Sequence, residues 1–304
     1  MTDIVIIGAG TAGLTAGIYA ARAGKSVKVL ESTVYGGQIV NTPDIENYPG
    51  MAHVSGFEFA QKLYEQATGL GVEVVMTSAA SIKDQGDTKV VVTTGNEEIP
   101  CKAVILATGA KNRHLGLEGE DKLVGRGISY CATCDGMFFR KKDVAVNGGG
   151  NTALGDALYL AGICNKVYLI HRRDQFRGAE RDARKLEACD NVEFVLNSNV
   201  TRLNDENGKL SSIEVTDKNT KEVRTIPVSA LFVAIGQTPD NGAFSDLVEL
   251  DEKGYIRAGE DCKTSCEGIF AAGDCRTKSL RQLTTAAGDG AVAATEACTY
   301  IDRQ

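Results

Sequence analysis

Two stretches of this chain follow the same plan, and together they restrict its fold more than any other feature. The first begins with an apolar run from Asp3 to Ile7, followed by Gly8-Ala9-Gly10-Thr11-Ala12-Gly13. Helical periodicity then runs through Leu14, Ile18 and Ala21, and a second apolar run from Ser26 to Leu30 ends at Glu31. The second stretch repeats the order: a strand over Asp143 to Asn147, then Gly148-Gly149-Gly150-Asn151-Thr152-Ala153. A helix over Leu154 to Ala161 and a strand over Val167 to Ile170 complete it. Strand, glycine turn, helix, strand is the context in which G-x-G-x-x-G/A marks a dinucleotide site. Gly8 permits the tight turn, Gly10 lets backbone approach a pyrophosphate, and Gly13 lets helix and strand pack closely. The fold class expected is α/β, with two Rossmann-like dinucleotide-binding domains.

The two copies differ at the end of their second strand. Glu31 can accept from both ribose hydroxyls, which favours an adenosine without a 2′-phosphate. The other copy ends in His171-Arg172-Arg173, with Arg177 shortly after. Planar guanidinium groups bind phosphate in a bidentate manner, so this copy suits a 2′-phosphate and hence NADPH. Asn147 is an oddity, a polar residue where the strand should stay apolar.

Between the copies lies Cys131-Ala132-Thr133-Cys134-Asp135. Two cysteines at this spacing can close a small disulfide, and a helix N-terminus or positive charge nearby can lower a thiol pKa. Asp135 offers a carboxyl group that can move a proton. Alone, the motif is equally compatible with half of a zinc site or with two ordinary thiols. Cys262 and Cys266 are the cysteines that would complete such a site, a reading less favoured than the redox one. Cys101, Cys164 and Cys189 read as small core residues, and His53 and His114 as structural or surface residues.

The remaining segments are less specific. Tyr35 to Gly50 reads as a long functional loop. Gly56 to Gly69 reads as an amphipathic helix with Phe57, Ala60, Leu63, Tyr64 and Ala67 on one side. Val72 to Ile99 and Asn191 to Val228 read as small antiparallel insertions. Ala103 to Ala107 and Leu231 to Ile235 read as buried strands, and Ala286 to Tyr300 as a final helix.

A net charge of -7 argues against nucleic acid as a partner. No apolar run approaches the roughly 20 residues needed to cross a bilayer, and Asp3 sits where a signal peptide would be basic. The chain thus reads as cytoplasmic. Its 9 cysteines, an odd number scattered through it, suit free thiols with any lasting disulfide catalytic.

Over nearly its whole length the chain resembles the low-molecular-weight, bacterial-type thioredoxin reductases of the pyridine nucleotide-disulfide oxidoreductase group. The motifs that carry this are GAGTAG with Glu31, GGQ at Gly36 to Gln38, ENYPG at Glu46 to Gly50 and CATCDG at Cys131 to Gly136. GGGNTA, HRRDQFR at His171 to Arg177, GIFAAGD at Gly268 to Asp274, and Arg281-Gln282 complete them. Two departures stand out: Gly178, where the family commonly has Ala, and Asn147.

The resemblance implies FAD on Gly8, Gly10, Ala12 and Gly13 with Glu31 on its ribose. Gly37, Gln38, Asn47, Asp274, Arg281 and Gln282 would hold the rest of that cofactor. It implies NADPH on Gly148, Gly150, Asn151 and Thr152, with His171, Arg172, Arg173 and Arg177 around the 2′-phosphate. Hydride would pass from nicotinamide to flavin, and the flavin would reduce a Cys131–Cys134 disulfide. Cys134 would lie nearest the flavin, Cys131 would attack the disulfide of thioredoxin, and Asp135 would be their acid/base partner. No metal is implied, and a homodimer is.

The order of motifs places the NADPH domain (113–237), which carries the CxxC, inside a discontinuous FAD domain (1–112 and 238–304). Flavin must meet the disulfide in one step and nicotinamide in another. The family's domain rotation would then hinge near Lys111 to Leu115 and Gly236 to Gly242. Two other readings stay open: a related reductase with a ferredoxin-type donor or another acceptor, and a flavin redox sensor without turnover.

Overall fold

In the computed structural model, which describes residues 1–42 and 44–304, the run before the first glycine turn is the strand Thr2–Ile7. It lies in a parallel ladder between Val27–Glu31 and Glu98–Leu106, and Val27–Glu31 pairs in turn with Glu73–Met76. These strands are nearly continuous apolar runs because both faces of a parallel sheet are covered. The strand Glu98–Leu106 forks. Its first half pairs antiparallel with Thr88–Thr93, which continues to Ala79–Gln85, and its second half pairs parallel with Ile269–Ala271.

The helices Thr11–Arg22 and Leu283–Asp302 cover this sheet through a seam of small residues. A Cβ on Gly290 would stand 2.3 Å from the Ala12 carbonyl oxygen, so the two backbones meet almost directly. Met1–Lys111 and Thr238–Gln304 together form one compact unit.

The second unit is Asn112–Gln237. Its sheet runs Val192–Val195, Lys166–Ile170, Asp143–Gly148, Ala230–Ala234, Ile128–Ser129, with every neighbouring pair parallel. The helix Asn151–Ala161 follows its glycine turn, and an antiparallel sheet of Ser198–Glu206, Lys209–Asp217 and Val223–Pro227 is added. Strand, turn, helix and strand therefore recur in the same order in each unit. Each unit also holds its own apolar clusters, such as those around Ile105 and Leu106 in the first and around Leu231 and Leu160 in the second.

Three local expectations are corrected. Glu73–Met76 and Val192–Val195 do not belong to antiparallel insertions; each extends its parallel sheet. In the helix Gly56–Gly69 the inward aromatic is Phe59, while Phe57 is 58% exposed. Ser55 caps that helix by accepting from Glu58 N, and the phase set there turns Phe59, Ala60 and Ala67 to the core. Cys101 and Cys164 are core thiols as expected, whereas Cys189 is half-exposed just past the helix Glu180–Glu187.

Candidate functional site

The first glycine turn is built by close approach. Gly8 has φ +109°, and a Cβ there would lie 2.3 Å from the Ala107 carbonyl oxygen. A Cβ on Gly13 would lie 1.9 Å from the Gly8 carbonyl oxygen, whereas one on Gly10 meets no atom closer than 3.9 Å. The turn is therefore sealed on the sheet side and open at Gly10. Gly10 precedes the helix Thr11–Arg22 and no side chain among the described residues caps it, so the first-turn N–H groups remain available to an anion. Ala12 is buried between this turn and the closing helix, with Gly273 and Gly290 both packed against it. The Glu31 carboxylate lies at the end of its strand, where Oε2 accepts from Ala9 N (2.8 Å) and Oε1 from Thr33 N (2.9 Å).

Other first-unit residues of the expected set also converge. Gly37 starts a short 3-10 helix, and a Cβ on it would sit 3.5 Å from Gly10 Cα. Gln38 donates from its side-chain amide to the Ala110 carbonyl. Asn47 Nδ2 donates to Gln282 Oε1 (3.1 Å), and Gln282 forms a capping box with Thr285 at the start of the final helix. Arg281 lies over the Tyr255 ring at 4.1 Å and donates to the Asp274 carbonyl (3.4 Å). The Asp274 carboxyl is raised in pKa by burial, and its Oδ1 has no hydrogen-bond partner among the described residues.

One anchor of this group carries no sequence signal. Asp289 accepts from Arg276 Nε and NH2 (2.8 and 2.6 Å), Lys278 Nζ (2.8 Å) and Gly273 N (2.9 Å). A single carboxylate thus pins both ends of the turn that presents Asp274.

In the second unit a Cβ on Gly148 would meet the Ala234 carbonyl oxygen at 2.4 Å, while Gly150 faces open space. Among the described residues no side chain caps the helix after Gly150. Asn151 and Thr152 are exposed at its start, and Asn151 Oδ1 accepts from Ala179 N (2.8 Å). Arg172, Arg173 and Arg177 are exposed and form no ion pair among the described residues.

His171 does not join this exposed cationic set. Its ring is buried beneath Gly149, where a Cβ would come within 2.2 Å of it, and it stacks on Phe176. Burial, reinforced by the neighbouring arginines, holds its pKa below the usual value and favours the neutral ring. Gly178 also has a steric reason. A Cβ there would stand 2.5 Å from Leu154 Cδ1, and Arg177 N and Gly178 N both donate to the Gly149 carbonyl. Asn147 pairs in the middle of its sheet with Ile170 and Val233, half-buried at the ladder's end.

Cys131 and Cys134 are joined as a disulfide, so the pair is not available as half of a metal site. Both are half-buried, Cys131 just before and Cys134 within the short helix Ala132–Asp135 that follows the strand Ile128–Ser129. Ser129, absent from the expected set, organises the turn: its Oγ donates to Asp135 Oδ2 (2.7 Å) and accepts from Cys131 N (3.1 Å). Asp135 Oδ1 is buried without a partner among the described residues, and burial raises the carboxyl pKa against the opposing effect of the Ser129 bond. The carboxyl can therefore hold a proton at higher pH than an exposed one.

The remaining buried thiols are poor nucleophiles. Burial pushes Cys101 up to about 12 and Cys164 and Cys262 to about 11. Cys275, wholly buried beside Asp274, is raised for the same reason. His53 is an exposed surface residue, paired with Asp44 at 2.8 Å.

Known proteins share this chain's sequence and fold over nearly its whole length. Residues 2–290 match the family model described as pyridine nucleotide-disulphide oxidoreductase. The thioredoxin reductase of Bacillus subtilis (strain 168) is 41% identical over 302 residues, covering 99% of this chain and 95% of that one. The thioredoxin reductase of Treponema pallidum (strain Nichols) is 42% identical over 301 residues, covering 99% and 97%. The crystal structure of thioredoxin reductase from Streptococcus pyogenes MGAS5005 superposes with a TM-score of 0.94 at 42% identity, covering 100% and 99%.

Proposed function

The chain belongs to the pyridine nucleotide-disulphide oxidoreductase family, and from that premise we propose that it reduces the disulfide of thioredoxin with electrons from NADPH, through FAD and the Cys131–Cys134 pair. It is an NADPH-dependent flavoprotein disulfide reductase of the low-molecular-weight type. The observation that carries this reading is a formed Cys131–Cys134 disulfide beside an unpartnered carboxyl oxygen, in a unit with its own glycine turn and free arginines.

The residues fit both cofactors. The open face of Gly10, the uncapped helix behind it and the orphaned Asp274 oxygen suit FAD, with Glu31 on a ribose and Gly37, Gln38, Asn47, Arg281 and Gln282 around the remainder. Gly150, Asn151 and Thr152 suit the NADPH pyrophosphate, and Arg172, Arg173 and Arg177 its 2′-phosphate. His171 supports the turn from below. When bound, the two cofactors supply a hydride and the two electrons it carries.

The chain's own residues do the rest. Opening the Cys131–Cys134 bond takes up two electrons and two protons, and Asp135 is placed to give and retake one of those protons. Cys131, as thiolate, attacks the thioredoxin disulfide and forms a mixed disulfide. Cys134 then displaces thioredoxin as its dithiol and restores the internal bond. A homodimer working in the cytoplasm belongs to the same proposal; among the described residues no helix is long and apolar enough to cross a membrane.

The test is direct. The purified protein should be yellow, NADPH should bleach the flavin, and thioredoxin should sustain NADPH oxidation well above the NADH rate. Bleaching without thioredoxin turnover would overturn the assigned acceptor, and reduction only by a donor other than NADPH would overturn the donor.

A further inference from the structure

The Cys131–Cys134 turn is held on its N-terminal side by an arrangement that the proposed reaction does not use. Tyr130 immediately precedes Cys131, and its hydroxyl donates to Glu120 Oε1 (2.8 Å). Glu120 is 2% exposed and sits in the short helix Glu120–Leu123. The same carboxylate accepts from three consecutive backbone groups: Leu115 N (2.9 Å), Gly116 N (2.8 Å) and Leu117 N (3.4 Å). Four donors therefore meet on one buried carboxylate, three from the chain's entry into the second unit and one from the residue beside the redox pair. Hydrogen bonds to charged acceptors are the strong kind, and a buried carboxylate stripped of them is costly, so this assembly resists displacement. The His114 ring flanks Tyr130 at 5.2 Å and adds packing on the same side. One residue earlier, Ser129 ties Cys131 N to Asp135.

We infer that Glu120 and Tyr130 form a latch that positions Cys131 against Cys134 and so sets how stable their disulfide is. The stability of an intramolecular disulfide follows the effective concentration of its two thiols, and that concentration rises as the turn carrying them is more firmly held. Tyr130 acts through the backbone of its neighbour and is a positioning residue. The inference rests on the Cys131–Cys134 pair being the redox couple of the proposed reaction, but its test needs neither NADPH nor thioredoxin.

In that test the purified protein is equilibrated with mixtures of reduced and oxidised dithiothreitol. Dithiothreitol gives two electrons and two protons to the Cys131–Cys134 bond and closes to its own cyclic disulfide. The dithiol fraction is trapped by alkylation and counted by mass spectrometry, with peptide mapping to the Cys131–Cys134 peptide.

Y130F removes one hydroxyl and should shift the disulfide-to-dithiol equilibrium constant toward dithiol by about fivefold, the part of that hydrogen bond's worth by which it favours the disulfide form over the dithiol. E120Q, which turns an amide towards backbone N–H groups, should shift it in the same direction and also lower Tm. Y19F, at a 49% exposed tyrosine, should leave it within twofold of the parent. A Y130F equilibrium within twofold of the parent would overturn the latch, whether or not Tm falls. Loss of NADPH-driven turnover in the parent would instead count against the proposed function, so the two failures are separable.

Discussion

Asp135 and Asp156 are both carboxyl groups whose pKa is raised by burial, yet they call for different experiments. Asp135 lies at the redox pair with one oxygen on Ser129 and the other unpartnered. D135N keeps the shape and removes the proton carrier, so thioredoxin reduction should slow about a hundredfold while NADPH still bleaches the flavin at the parent rate. Stopped-flow absorbance separates the two steps. Asp156, in the helix Asn151–Ala161, has no hydrogen bond among the described residues, and burial pushes its carboxyl up to about 7. In an unfolded chain it titrates near 3.8. Between those values the folded protein keeps a proton that the unfolded chain has released, so stability falls as pH rises from about 4 to about 7. D156N should therefore raise Tm at pH 8, by about 1–2 kcal/mol in stability, and have no effect near pH 4. Equal gains at both pH values would show that the cost is not one of charge. At this scale the glycines of both turns were legible in the chain, because only a missing Cβ permits those approaches. Ser129, Glu120 and Asp289 were not. A lone serine or acid has no pattern, and its role exists only once the fold brings donors to it.

Among the elements, the basic loop after Lys166–Ile170 shows how a departure from a family pattern can be a packing decision. Gly178 lies where a methyl would run into Leu154, and two backbone N–H groups bind the loop to the Gly149 carbonyl. G178A should lift the loop that carries Arg177 and raise the KM for NADPH about tenfold, with little change for NADH, which lacks the 2′-phosphate. G178A/L154A should recover most of the loss. If it does not, the backbone contact with Gly150 is the obstacle rather than the leucine side chain. The glycine-turn strands could be read from their position before each turn. The sheet membership of Glu73–Met76 and Val192–Val195 could not, because a short alternating run looks the same whether its neighbour runs parallel or antiparallel. The phase of Gly56–Gly69 was misplaced for a related reason: two phenylalanines lie two residues apart, and only the Ser55 cap decides which faces inward.

For the molecule as a whole, the order of the motifs reads as one nucleotide-binding domain interrupting another, and the chain divides into one compact unit inserted in the sequence of a second. The proposed reaction asks one redox pair to meet a flavin and a protein substrate in turn, which the proposed rotation about the two crossings would allow. Crosslinking the segments Lys111 to Leu115 and Gly236 to Gly242 to one another should abolish thioredoxin turnover while the protein stays yellow. Normal turnover by a verified crosslinked sample would refute the rotation. The second unit also starts and ends at one place. Gln237 Nε2 donates to Asn112 Oδ1 (2.9 Å) and Arg113 N to the Gly236 carbonyl (3.0 Å), and the apolar clusters around Leu231 and Leu160 are wholly its own. A segment whose two ends are neighbours can be gained or lost by a host without unthreading it. On the proposed assignment of NADPH to this unit, the NADPH and disulfide apparatus would be a cassette that a flavin-binding scaffold can carry as one insertion.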